Sequence, residues 1–133
     1  MYNGFIQSGA VASGANYIFT TSFVTNNNLT YDSSTGIFTI TQPGIYDVYF
    51  YCSCANSTAA SGSVTPTLVL NGVASTKKLT SATSTGSTNV VSVAMNTPIR
   101  VVVQNGSTAT LAVENAGVAV TVNSGEITIE RRA

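Results

Sequence analysis

The stretch YDSSTGIFTITQPGIYDVYF, residues 31–50, contains two runs in which apolar and polar residues alternate. A turn signal, Thr35-Gly36, precedes the first run, and Pro43-Gly44 joins it to the second. Alternation with a period of two is typical of β-strands that bury one face, and Gly and Pro mark the turns between them. The stretch therefore predicts a sheet protein whose buried face can be read from the sequence.

The second run continues to Cys54 and gives one strand with two different faces, because successive side chains point to opposite sides. The face predicted to lie in the core carries Tyr46, Val48, Phe50, Cys52 and Cys54. The opposite face carries Asp47, Tyr49, Tyr51 and Ser53. Two neighbouring tyrosines are more aromatic surface than a solvent-facing sheet normally exposes, which indicates that something covers them.

The rest of the chain shows short alternating runs separated by turn signals, without a sustained helical period. This pattern predicts an all-β sandwich or barrel of about ten or more strands. The predicted strands are Gly4–Ser8, Asn16–Thr25, Leu29–Asp32, Ile37–Thr41, Ile45–Ala55, Val64–Leu70, Val73–Leu79, Thr88–Met95, Ile99–Gln104, Thr108–Val113, Val118–Val122 and Glu126–Glu130.

The residue types at the predicted turns indicate what kind of turn each one is. Asn71-Gly72 has the composition of a two-residue hairpin, because both residues tolerate the positive φ angles that such turns need. Asn105-Gly106 and Ser124-Gly125 are predicted to form turns of the same kind. The segments Ser57–Ser63 and Thr80–Ser87, composed of Ser, Thr, Ala and Gly, are predicted to be loops.

Length and composition bound the class of protein. The 133 residues predict one domain, 1–133, with a core large enough to fold without a metal or a disulfide. Charged residues make up 8% of the chain and the net charge is zero, so a nucleic-acid partner is not expected. Lys77-Lys78 and Arg131-Arg132 are predicted to be solvated loop and tail residues. No apolar run is long enough for a membrane helix, so membrane insertion is not expected.

The chain has no histidine, which removes the usual hydrolase constellations and most metal sites. Cys52 and Cys54 would have Cα atoms about 6.6 Å apart in a strand, near the outer limit for a disulfide, so two buried thiols are predicted. The acidic residues are scattered and cannot supply the oxygen ligands of a calcium site. We therefore expect no enzyme activity, no cofactor and no metal carried by one subunit alone.

Several of these motifs occur in a familiar order. Tyr31-Asp32, Thr35-Gly36-x-Phe38, Pro43-Gly44-x-Tyr46 and Leu68-x-Leu70-Asn71-Gly72-Val73 resemble the jelly roll of complement globular heads and tumour necrosis factor. The resemblance is closer to the C-terminal head of the collagen-like glycoprotein on the outer surface of Bacillus spores, and it extends from about Leu29 to the end. No Gly-x-y collagen repeat is present in this sequence.

The resemblance implies a jelly-roll sandwich of two five-stranded antiparallel sheets, with three chains around a threefold axis. In the family, the strand after Pro-Gly lies in an inner sheet whose second face meets the neighbouring subunits. This assigns Tyr49, Tyr51 and Thr128 to a trimer interface, while Ile127 and Ile129 are assigned to the core.

The expected function is structural: a trimeric head that assembles chains and displays loops at a bacterial spore or cell surface, in the manner of the exosporium. Two alternatives remain open at this point. The first is a receptor-binding fibre head on a bacteriophage virion. The second is a carbohydrate-binding module, for which Tyr2, Tyr17 and Tyr31 would be the candidates for stacking on sugar rings. The expected partners are two further copies of the chain, with a cell-surface receptor or a glycan as a possible ligand.

Overall fold

The fold is entirely β in the described part of the chain, which confirms the predicted class. The computed structural model describes residues 2–6, 9–24, 28–58, 61–75, 81–94 and 99–133, and for 21–24 the backbone alone. The strands in these ranges are β1 (Tyr2–Ile6), β2 (Gly9–Val11), β3 (Thr20–Val24), β4 (Leu29–Asp32), β5 (Ile37–Ile40), β6 (Gly44–Asn56), β7 (Gly62–Val64), β8 (Pro66–Leu70), β9 (Val73–Ala74), β10 (Ala82–Ser84), β11 (Val90–Ala94), β12 (Ile99–Val103), β13 (Ala109–Asn115) and β14 (Val120–Arg131).

The larger sheet contains seven of these strands, which occupy five rows. Strands β11 and β12 pair with successive halves of β6 and therefore share a row. Strands β1 and β2 share another row along β14 in the same way. The rows thus run β11/β12, β6, β14, β1/β2 and β3, and the long strands β6 and β14 lie at the centre.

The second sheet has the order β4-β5-β13-β8-β9, and β7 and β10 form a separate two-stranded ribbon. The chain passes directly from one large sheet to the other after β3, β5, β12 and β13. The pairings among the described strands are antiparallel, and the two sheets form the predicted jelly-roll sandwich. The expected five rows per sheet are present, and two rows of the larger sheet are each divided into two shorter strands.

The core lies between the two sheets and contains a connected group of aromatic rings. The Tyr2 ring of β1 meets the Phe38 ring of β5 edge-on, with centroids 4.7 Å apart. Phe38 also packs against Tyr31 at 4.4 Å, and Tyr17 against Phe50 at 5.3 Å. Tilted and edge-on pairs of this kind add to the stabilisation that comes from burying the rings. The group therefore joins strands of both sheets.

Of the two predicted Asn-Gly turns, one is a hairpin turn in the structure and the other is not. Asn71 and Gly72 have φ angles of 51° and 78° and connect β8 to β9, with Leu70 paired to Val73. This confirms the two-residue hairpin. Asn105-Gly106 forms a turn closed by a hydrogen bond from Ser107 N to Gln104 O. It is not a hairpin turn, because the strands on either side belong to different sheets.

The predicted turn at Ser124-Gly125 is wrong, because β14 runs through it without reversing. The strand instead contains a β-bulge: Val122 pairs with Cys54 and Ser124 pairs with Ser53, which leaves Asn123 as an extra residue. The extra residue changes which face is buried, so that even-numbered side chains point inward before the bulge and odd-numbered ones after it. The predicted strands Val118–Val122 and Glu126–Glu130 therefore belong to one strand, in which the bulge shifts the alternation of buried and exposed residues by one position.

Three other local predictions are corrected by contacts that the apolar pattern does not show. The predicted loop Thr80–Ser87 contains β10, which is fixed by the buried Ser84 hydroxyl accepting a hydrogen bond from Asn56 N at 3.0 Å. The predicted strand Asn16–Thr25 starts only at Thr20, because Tyr17 N donates to Val113 O in the other sheet before the chain crosses over. The predicted strand Val64–Leu70 is divided into β7 and β8.

Some sequence predictions concern residues that the structure does not describe. Lys77-Lys78 and Met95 lie outside the described residues, as do residues 59–60 of the first predicted loop. The ends of the predicted strands at Ser8, Thr25 and Leu79 also lie outside them. The predictions for these positions stay as predictions.

Candidate functional site

The outward face of the larger sheet carries two exposed tyrosines at its centre. Tyr49 and Tyr51 are 44% and 43% exposed, whereas their neighbours Val48 and Phe50 are buried. Both tyrosines lie on β6, which has β14 on one side and β11 and β12 on the other. Their rings therefore stand on a rigid central strand and not on a loop.

The register of the neighbouring strands supplies the rest of this surface. Thr128 pairs with Tyr49, and Glu126 pairs with Tyr51 on the same side. Ala94 pairs with Tyr51 from the opposite side. These five residues line a shallow, mostly apolar hollow of about 340 Å³, and we call them the tyrosine face.

The tyrosine face continues towards the neighbouring row of the sheet. Phe5 on β1 pairs with Glu126 and is 37% exposed. Glu126 is the charged member of the tyrosine face, and it lies between the rings of Tyr51 and Phe5 in the register. The surface is thus apolar and hydroxyl-bearing, with one carboxylate per chain.

The structure places the sequence-predicted residues on the two faces as follows. Tyr49 and Tyr51 are exposed and Thr128 is half-buried on the outward face, beside each other in the register. The residues predicted for the core are at most 2% exposed: Tyr46, Val48, Phe50, Cys52, Cys54, Ile127 and Ile129. The assignment of the outward-facing residues to a subunit interface stays a prediction, because it concerns contacts with other chains.

Sequence reasoning did not single out Ala94 and Glu126. The signal for Glu126 was available, because alternation along β14 puts it on the same face as Thr128. Ala94 could not be placed, since either face of its strand was compatible with the pattern. The structure buries Val93 to 1% exposure and half-buries Val91, which turns Ala94 outward next to Tyr51.

A cluster of charges borders the tyrosine face at the start of β6. The Asp47 carboxylate, with its side chain 7% exposed, receives Arg100 Nε at 3.2 Å and Arg132 Nε at 3.4 Å. Arg132 also contacts Glu130, and Arg131 donates to Pro43 O at 2.9 Å. The prediction that Arg131-Arg132 would be solvated is confirmed, because both residues are exposed, and the structure adds that both side chains have bonding partners.

The thiols of Cys52 and Cys54 lie in the core with their Sγ atoms 3.8 Å apart, and both are free. The hydrogen bond to Cys54 and burial raise the pKa of the Cys52 thiol, while that same hydrogen bond lowers the pKa of Cys54. Burial, with a further contribution from the two thiols, raises the pKa of the nearby Tyr17 phenol. The Tyr17 hydroxyl is buried and has no hydrogen-bond partner within the described ranges. Both thiols are buried, and buried structural thiols are poorly reactive because reagents do not reach them.

The tyrosines considered for a carbohydrate-binding module are not available for stacking on sugars. Tyr2 and Tyr17 are 1% and 0% exposed. Tyr31 is half-buried, its ring packs on Phe38, and its hydroxyl accepts a hydrogen bond from Phe19 N at 2.7 Å. That assignment is wrong, because all three rings fill the space between the sheets.

Metal and membrane features are limited in the part of the chain that the structure describes. Within those ranges, no three His, Cys, Asp or Glu side chains are grouped so that they could hold a metal ion. No helix with the length and hydropathy of a membrane span occurs there either.

One comparison with a solved structure agrees with the architecture. The Eiger TNF from S. frugiperda is 14% identical over 99% of this chain and 93% of its own, with a TM-score of 0.65. The murine APRIL structure at pH 8.5 is 11% identical over 96% of this chain and 98% of its own, with a TM-score of 0.49. At these identities the likeness to Eiger concerns the fold alone.

Comparisons of sequence identify the family. No curated protein sequence matches the chain. The sequence profile of the C1q domain matches residues 6–125, which is most of the chain and includes β6, β11 and the bulge of β14. C1q and TNF-like domains are typically trimeric, non-enzymatic heads. The extent of this match shows that the chain belongs to the C1q domain family.

Proposed function

We propose that this protein is a homotrimeric, non-enzymatic head domain that holds three chains together and displays its loops at the surface of a bacterial spore or cell. The observation that carries the proposal is the tyrosine face, where two aromatic rings are exposed at the centre of the larger sheet. C1q and TNF-like domains typically form trimers, and an exposed aromatic surface in such a domain is suited to that contact.

The chemistry of the tyrosine face favours a protein neighbour. A tyrosine ring offers apolar area, while its hydroxyl can find a partner at the edge of the contact or in water. Each square ångström of apolar surface that is covered contributes roughly 25 cal/mol. Glu126 is the charged residue of this face, so the desolvation and repulsion that oppose association come from one carboxylate per chain.

The oligomeric state tests this part of the proposal. We expect sedimentation equilibrium of the wild type to give the mass of three chains. The variant Tyr49→Asp/Tyr51→Asp places two charges on the face and is expected to give a folded monomer. A matched control is Ile37→Asp/Val73→Asp, which alters side chains on the second sheet that are 36% and 69% exposed. The control is expected to keep the mass of the trimer.

The possible outcomes test separately whether the protein is a trimer and whether the two tyrosines lie in its interface. A wild type with the mass of one chain would contradict the trimer. A trimer that persists in the Tyr49→Asp/Tyr51→Asp variant would remove both residues from the interface and leave the assembly intact. Circular dichroism of each variant distinguishes loss of assembly from loss of folding.

The cellular location rests on the resemblance and on composition. A chain with 8% charged residues is kept in solution by hydroxyl and amide groups, which also suits a densely packed surface layer. Immunogold labelling of intact spores and vegetative cells of the source organism tests this, with a gene deletion as the control. Label confined to bacteriophage particles would show that the protein belongs to a virion fibre and not to the spore or cell surface.

A further inference from the structure

Two of the three Asn-Gly dipeptides of the chain lie at one end of the sandwich in exposed turns, while the third, Asn3-Gly4, lies within β1. Asn71-Gly72 connects β8 to β9, and Asn105-Gly106 connects β12 to β13. Asn71 and the residues on either side of the second turn line the same shallow cavity of about 250 Å³. The two dipeptides therefore share a sequence and a solvent environment and differ in how the structure holds them.

Asn-Gly is chemically labile when its backbone can rearrange. The backbone nitrogen of glycine attacks the Cγ of the asparagine side chain, a C–N bond forms, and the side-chain amide leaves as ammonia. Water then opens the resulting cyclic imide at either carbonyl, which yields aspartate or isoaspartate. Glycine promotes the attack because it lacks a side chain and reaches conformations closed to other residues.

Asn71 is held against this rearrangement by the start of β13. Its side-chain Oδ1 accepts a hydrogen bond from Thr110 N at 2.9 Å. Its own backbone N donates to Thr110 O, also at 2.9 Å. Both residues of this turn have positive φ angles fixed by the hairpin register. The side-chain carbonyl therefore has to leave Thr110 before the nitrogen of Gly72 can reach its carbon.

Asn105 has no such restraint. It is exposed, and within the described ranges no residue makes a hydrogen bond to its side chain. Gly72 and Gly106 are alike, with φ angles of 78° and 75° and no atom within 4 Å of the point where a Cβ would be, so the two turns differ in the bonds that hold the asparagine. One hydrogen bond, from Ser107 N to Gln104 O at 3.1 Å, closes the turn.

From this contrast we infer that Asn105-Gly106 is a site of spontaneous deamidation in the folded protein and that Asn71-Gly72 is protected. The reaction consumes one water and releases one ammonia. It adds one negative charge to a chain that carries five acidic and five basic residues. The isoaspartate product also adds a backbone carbon to the turn that carries the chain from one sheet to the other. Aged protein will therefore contain acidic species altered at this end of the sandwich.

The test is to incubate the folded protein in mildly alkaline buffer and to follow acidic species by ion-exchange chromatography. Peptide mass spectrometry then locates each amide that has become a carboxylic acid. We expect the change at Asn105 to be roughly ten times faster than at Asn71, since the hydrogen bond from Thr110 N to the Asn71 side chain must open first and the bond from Asn71 N to Thr110 O holds the turn in place. The variant Asn105→Gln should remove the main acidic species.

Incubation in concentrated urea provides the control for intrinsic reactivity. Without structure Asn71-Gly72 and Asn105-Gly106 should react at similar rates, as should Asn3-Gly4, and the difference between Asn71 and Asn105 should return on refolding. Equal rates in the folded protein would overturn the inference. So would a folded protein in which Asn105 stays an amide while the urea sample reacts.

Discussion

Arg132 Nε lies 3.4 Å from Asp47 Oδ2 and thereby ties the end of the chain to the beginning of the strand that carries the tyrosine face. Two backbone hydrogen bonds accompany this pair: Arg132 N donates to Ile45 O, and Ile45 N donates to Ala133 O. Arg100 approaches the other carboxylate oxygen at 3.2 Å. The carboxylate side chain is 7% exposed, whereas the two arginine side chains are 60% and 55% exposed.

This asymmetry predicts unequal costs for removing the two sides of the cluster. Arg100→Ala/Arg132→Ala leaves a buried carboxylate without cations, so we expect the free energy of unfolding to fall by about 2 kcal/mol. Asp47→Asn leaves two solvated arginines and should cost about 1 kcal/mol or less. Urea unfolding at a fixed protein concentration measures both.

A triple variant completes the comparison. Adding Asp47→Asn to Arg100→Ala/Arg132→Ala removes the unpaired charge and should restore part of the lost stability. If the double arginine variant has the same free energy of unfolding as the wild type, the two arginines do not stabilise the buried carboxylate.

The strands of the sandwich could largely be predicted from alternation, because one buried face leaves a period-two signal. The bulge at Asn123 could not be predicted from alternation. It joins two runs with opposite phases, and Gly125 then sits where an added Cβ would lie 3.3 Å from Tyr51 O. A glycine between two such runs is compatible with a turn or with a bulge. Only the pairing with β6 distinguishes the two.

The bulge itself predicts the effect of deleting Asn123. Without the extra residue, β14 has a single phase, so Val120 and Val122 would face solvent if Ile127 and Ile129 stay buried. Burying a valine contributes about 1.5 kcal/mol or more, so we expect a loss of roughly 3–5 kcal/mol. Asn123→Ala keeps the residue count, and its exposed side chain should make it nearly neutral. Thermal unfolding of the two variants measures the difference, and equal melting temperatures would show that the bulge is not needed.

Glu126 is expected to limit the affinity of the proposed trimer. A carboxylate that is covered by a neighbouring chain loses hydration, and an amide loses less. Glu126→Gln should therefore lower the protein concentration at which trimers dissociate by about tenfold or more. Glu114→Gln on β13, in the second sheet, is the matched control and should not change it. Dilution series in sedimentation velocity measure the dissociation. Weaker association of Glu126→Gln would mean that the carboxylate has a bonding partner in the trimer.

The candidate site could be predicted only in part from the sequence. Tyr49 and Tyr51 follow from alternation on a strand whose other face is apolar. Asp47 occupies the same face by the same rule, yet it is almost buried, because Arg100 pairs beside it and Arg132 reaches it from just beyond the end of β14. These partners are 53 and 85 positions away along the chain, and only the sheet register brings them together.

The buried phenol of Tyr17 predicts a loss of stability in alkali. Burial raises the pKa of Tyr17, so the folded protein keeps this proton at a pH where the unfolded chain releases it. The unfolded state then binds fewer protons, and the free energy of unfolding falls as pH rises above about 10, by about 1.4 kcal/mol per pH unit. Tyr17→Phe should remove this contribution. It should leave stability at neutral pH unchanged or raise it by about 1 kcal/mol, because the hydroxyl has no partner within the described ranges. Urea unfolding from neutral pH to about pH 11 measures the slope, with Tyr49→Phe as the exposed control. A Tyr17→Phe protein with the wild-type slope would assign the alkaline loss to other groups, first of all to Cys52, whose pKa is also raised.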